Sequence, residues 1–92
     1  MKKYALIEHL SGRVSWVGEA LSPMEALSKC EHQTGLDHGV IVPSNMWSGE
    51  DWSYAVHELP DDFDIRNIDG ADEEVIARVR AYPLVNYVGV TR

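Results

Sequence analysis

The chain has 92 residues, with 15 Asp and Glu against 8 Lys and Arg, and a formal net charge of -7. This length supplies one small core, so a single α+β domain over residues 1–92 is expected, and 45% hydrophobic content argues against wholesale disorder. The acidic balance argues against direct binding to nucleic acid or to an anionic membrane, because either needs a basic face to displace counterions.

The N-terminus opens with Lys2 and Lys3, as a signal peptide would. Its apolar run, Tyr4-Ala5-Leu6-Ile7, is ended by Glu8 and His9, well short of the roughly 7–15 apolar residues of a signal core. No stretch approaches the roughly 20 apolar residues of a membrane span. Cys30 is the sole cysteine, so it has no partner within the chain for a disulfide. A soluble protein of the reducing cytoplasm is expected.

Residues 3–9 read as a strand rich in Tyr, Leu and Ile. Ser11-Gly12 makes a turn, and residues 13–19 read as a second strand, forming an antiparallel hairpin with the first. There Val14, Trp16 and Gly18 alternate against Ser15, Val17 and Glu19. Ser22-Pro23-Met24-Glu25 is a capping box with proline at the first helical position. The helix it opens is expected to run to Gln33 or Thr34 and stop at Gly35, with Met24, Leu27 and Cys30 as its buried stripe. Residues 39–43 read as a short buried strand ended by Pro43. Residues 44–51 are a loop by composition. Residues 52–59 read as a strand, with Trp16 and Trp52 expected in the core. Either Asp69 or Asp72 can cap a second helix that buries Val75, Ile76, Val79 and Tyr82 and stops at Pro83. Residues 84–91 read as a last strand. The order β-β-α-β-β-α-β predicts a two-layer α+β sandwich: a mostly antiparallel sheet of four or five strands with both helices on one face.

The charge is localised. Residues 50–74 hold ten of the fifteen acids and one base, Arg66, for about -9; the other five acids and seven bases sum to about +2. Setting Gly70 as the turn glycine of an EF-hand would put Ile65 and Ile76 at the end-ligand positions, so that motif fails. Cys30 and His32 are two apart on a helix and point away from each other, which separates them as a nucleophile and base. His9, His32, His38 and His57 have no metal-ligand spacing. The glycines form no phosphate-binding loop. No catalytic residue, metal site or cofactor is assigned.

The residues expected to meet a partner are Trp47, Glu50, Asp51, Asp61, Asp62, Asp64, Asp69, Asp72, Glu73 and Glu74. Trp47 is included because an indole in a loop suits an interface anchor. In size, compactness and charge, the chain resembles small phage or mobile-element inhibitors of nucleic-acid machinery, such as anti-CRISPR and DNA-mimic proteins. That resemblance is one of general character, carried by no residue motif. It implies a non-enzymatic protein whose carboxylates occupy a basic, nucleic-acid-binding surface of a partner. Two alternatives stand beside it. One is a small enzyme or cation-binding domain using Asp61, Asp62 and Asp64. The other is an accessory subunit, with the strand at residues 40–42 or 84–91 pairing as an edge with a second copy.

Overall fold

The fold is described by a computed structural model that covers residues 1–37, 39–66 and 68–89. Its elements are β1 (Lys2–Glu8), β2 (Val14–Ala20), α1 (Pro23–Thr34), β3 (Val40–Pro43), a 3₁₀ turn (Ser44–Met46), β4 (Tyr54–Leu59), α2 (Glu73–Arg80) and β5 (Leu84–Gly89). The strands form one antiparallel sheet in the order β2-β1-β4-β5-β3. This is the α+β sandwich that the order of elements predicts.

The helices depart from expectation: they lie on opposite faces of the sheet. Successive strand residues point to opposite faces. Tyr4 and Leu6 of β1 cluster with Tyr54 and Val56 of β4 and with Ala26, Leu27 and Cys30 of α1. Ala5 and Ile7 cluster instead with Leu59, Phe63 and Val79 of α2. Tyr4-Ala5-Leu6-Ile7 is therefore buried at every position. An unbroken apolar run of this kind is what a strand covered on both faces requires.

A bulge between the two clusters reconciles them in β2. Leu6 pairs with Trp16 and Ile7 with Val14, which leaves Ser15 as an extra residue. Val14 and Trp16 thus serve opposite faces, although both are buried. The Trp16 ring then lies over Gly18, where an added Cβ would stand 2.6 Å from it.

Caps act where the sequence places them. The Ser22 hydroxyl accepts from the Glu25 N–H at 3.2 Å, and the Glu25 carboxylate accepts from the Leu21 N–H at 3.1 Å. Gly35, at φ 72°, closes α1 by donating to the Glu31 carbonyl at 2.8 Å. Met24 falls outside the stripe and is exposed. At about 100° per residue, Ala26, Leu27 and Cys30 share one arc, and Met24 lies beyond it. Asp72, not Asp69, caps α2 by accepting from the Glu74 N–H at 2.9 Å.

β3 is the outer strand of the sheet and is half-exposed rather than buried. β5 lies inside, between β4 and β3, so it offers no free edge. Residues 90 and 91 of that expected strand lie outside the described residues. The other edge, β2, is guarded. Its Val14 N–H donates to the Gly70 carbonyl at 2.9 Å, and Lys29 Nζ donates to the Glu19 carbonyl at 2.8 Å.

Residues 60–66 and 68–70 lie along the α2 face, with contacts at both ends of the sheet. At one end Lys3 Nζ donates to the carbonyls of Asp61 and Phe63, both at 2.6 Å. At the other, Gly70 meets the start of β2 so closely that a Cβ there would collide with the Val14 carbonyl. Phe63, Ile65 and Ile68 fill the space beside the short α2. The Arg78 guanidinium caps the Phe63 ring at 5.1 Å.

His57 is the buried polar residue of this face, 7% exposed, with Nδ1 3.0 Å from the Tyr82 carbonyl. A proton on Nδ1 donates to that carbonyl and ties the end of α2 to β4. Burial lowers the imidazole pKa; the Tyr82 hydrogen bond opposes this, and Arg80 adds to it. The unfolded chain therefore binds the His57 proton more readily than the folded chain. This contribution is full above the unfolded value of about 6.5 and is lost as pH falls through the lowered folded value. Urea denaturation from pH 7.5 to 5 is expected to show a steeper loss of stability for the wild type than for His57→Gln. Parallel curves would contradict it.

Candidate functional site

At the end of the sheet where β1 finishes and β4 begins lies an open groove of about 960 Å³. Three separate stretches of chain build it. β1 and its turn supply Glu8, His9 and Leu10; the α1–β3 connection supplies Asp37, Gly39 and Val40; the approach to β4 supplies Glu50 through Tyr54. Antiparallel pairing sets Glu8 opposite Tyr54, and the Tyr54 hydroxyl donates to the Glu8 carboxylate at 3.4 Å. The His9 N–H donates to the Ser53 carbonyl at 2.9 Å, and the Ser53 N–H to the Val88 carbonyl at 2.6 Å, which fix the mouth of the groove to the sheet. Asp37 accepts from the Gly39 N–H at 3.0 Å and shapes the opposite wall.

Four carboxylates, Glu8, Asp37, Glu50 and Asp51, line this groove, and its described lining contains no Lys or Arg. Such a wall attracts cations and focuses the field of the acidic chain. The rim is apolar: Leu10 is 94% exposed and Val40 42%. Trp52 forms an aromatic wall. Its ring centroid is 4.1 Å from His9 and 5.0 Å from Tyr87.

The expected partner-binding residues do not form one surface. Glu50 and Asp51 stand at the Tyr54 end of β4, and Asp61 and Asp62 follow its Leu59 end. Six strand residues, at about 3.3 Å each, put these pairs roughly 20 Å apart. Asp69, Asp72, Glu73 and Glu74 lie by the start of β2, where Gly70 meets Val14. Three of the acids also hold local structure. Asp64 accepts from the Arg66 N–H at 2.9 Å and Nε at 3.2 Å, and these bonds hold its carboxyl below the usual range. Asp69 accepts from the Ala71 N–H at 3.0 Å, and Asp72 caps α2.

The indoles also sit differently from expectation. Trp52 precedes β4 rather than belonging to it, and is half-buried at the groove. Trp47 does not project as an anchor. Its ring folds back over Gly89, and its Nε1 is buried without a partner among the described residues. Trp16 is in the core as expected. Glu8, His9 and Asp37 escaped sequence reasoning because only the strand order brings them to Glu50.

Burial pushes the Cys30 thiol up to about 11, so it stays protonated within the α1 core. Among the described residues, no group of three or more His, Cys, Asp or Glu is arranged to hold a metal ion. His38 lies outside the described residues. No helix among them is long and apolar enough to cross a membrane.

The fold and the site thus define a small antiparallel α+β protein with an acid-lined, aromatic-walled groove at one end of its sheet. The chain matches no protein-family model, and comparison with curated proteins and with solved structures finds no match.

Proposed function

We propose that this chain is a non-enzymatic acidic interaction protein that occupies a basic surface of a partner protein. That surface is of the kind that otherwise binds nucleic acid, and the role is that of small phage or mobile-element inhibitors such as anti-CRISPR and DNA-mimic proteins. The partner meets it in the cytoplasm. The observation that carries this reading is the convergence of Glu8, Asp37, Glu50 and Asp51 on one groove with an exposed apolar rim. Glu8 ends β1, and Asp37, Glu50 and Asp51 stand on the connections beside it; carboxylates so placed can stand where phosphates would. The groove is the centre of the contact. Asp61 and Asp62, beyond the Leu59 end of β4, and Asp69, Asp72, Glu73 and Glu74, by the start of β2, add to the long-range field that steers approach at low salt.

Affinity capture from host lysate tests the proposal, with the captured protein identified and challenged by duplex DNA. A basic nucleic-acid-binding protein is expected, released by DNA. It is also expected to be released by salt, because exposed charges are screened beyond about 10 Å at 0.1 M and about 3 Å at 1 M. A partner that ignores both salt and nucleic acid would contradict it.

A further inference from the structure

We infer that the α2 layer is a flap: the chain between β4 and β5 lifts off the sheet as one unit while the sheet and α1 stay folded. This is independent of the proposed function. Topology carries it. α1 joins β2 to β3, the two outer strands, so its ends are fixed at opposite edges of the sheet. α2 joins β4 to β5, which are neighbours. His57 pairs with Leu84, and the Glu58 N–H donates to the Pro83 carbonyl at 2.9 Å, so the two ends of this excursion are clasped side by side at its base. Lifting it breaks no pairing between strands.

The two layers also differ in how firmly they are held. The flap buries Phe63 and Val79, while its Ile65, Ile68, Val75 and Ile76 stay half-exposed. α2 has eight residues, against the roughly 12–15 that an isolated helix needs, so it keeps its shape only while docked. Its latches are few and polar: Lys3 Nζ on the Asp61 and Phe63 carbonyls, the Val14 N–H on the Gly70 carbonyl, and His57 Nδ1 at the Tyr82 carbonyl. With the flap open, Tyr4, Leu6, Trp16, Tyr54 and Val56 remain packed under α1, and an antiparallel sheet tolerates one wet face. The groove at the Tyr54 end takes none of its described lining from the flap, so opening bares Ala5, Ile7 and Leu59 without dismantling it.

Native-state hydrogen exchange of the full chain, read amide by amide by NMR, tests this. The hydrogen-bonded amides of α2 and the Val14 amide are expected to share one protection factor, at least about 10-fold below that of the β1 and β4 amides. Cys30→Ala, under α1, is expected to speed exchange in β1 and β4 at least about threefold and to leave α2 unchanged, because the contacts of residue 30 survive when the flap opens. Lys3→Met keeps the aliphatic stem and removes the latch. It is expected to speed exchange in α2 and in β1 and β4 by the same factor, because its bonds are lost in either opening. A single protection factor for both layers, or an equal response of α2 and the strands to Cys30→Ala, would overturn the inference.

Discussion

Leu6→Ala and Ile7→Ala are each expected to destabilise the protein by about 2–5 kcal/mol, although the two side chains point in opposite directions. Leu6 is 0% exposed, paired with Trp16 and Val56 and packed in the α1 layer. Ile7 is 2% exposed, paired with Val14 and Ala55 and packed in the α2 layer. Truncation removes buried methyl groups and leaves a cavity on whichever side it falls. A domain of this size holds only roughly 5–14 kcal/mol in total, so either change removes a large share. At about 4–8 °C per kcal/mol, each variant is expected to melt at least roughly 10 °C below the wild type. Thermal and urea denaturation measure this. A loss below about 1 kcal/mol for Ile7→Ala alone would show that the second layer does not cover its face.

That pair also shows how far the sequence can be read. The Ser22 and Asp72 caps and the Gly35 stop are local chemistry, and they form where the residues stand. The run Tyr4-Ala5-Leu6-Ile7 already signals two-sided burial, since a strand with one wet face alternates. Local alternation misled in β2, where the bulge at Ser15 sends Val14 and Trp16 to different faces without changing the pattern of apolar residues. The groove was the least legible feature. Glu8 and Glu50 are 42 positions apart in the sequence and meet because β1 pairs with β4, a choice that no short window encodes. The acidic stretch at residues 50–74 was visible as composition. Its division between the two ends of β4, and its placement along the α2 face, follow from the Lys3 and Val14 hydrogen bonds at either end.

The second large effect concerns binding. Glu50→Lys with Asp51→Lys is expected to weaken an arginine-bearing peptide by on the order of 100-fold at low salt. Each reversal exchanges an attraction for a repulsion worth about 1 kcal/mol or more at contact. Asp61→Lys with Asp62→Lys makes the same change in net charge about 20 Å away, at the Leu59 end of β4. Charges at that distance are largely screened at about 0.1 M salt, so less than about a fivefold loss is expected there. All four side chains are exposed, and neither pair of changes is expected to move stability by much more than about 0.5 kcal/mol per site. Equal losses from the two pairs would mean that net charge governs binding and the groove does not.

The most direct measurement is an amide-resolved NMR titration of the labelled protein with the arginine-bearing peptide at low salt. The largest shifts are expected at Glu8, His9, Glu50, Asp51 and the Trp52 indole, with Asp61, Asp62 and Asp64 nearly unmoved. Shifts centred on Asp61, Asp62 and Asp64, or on Asp69, Asp72, Glu73 and Glu74, would contradict the assignment of the groove as the contact.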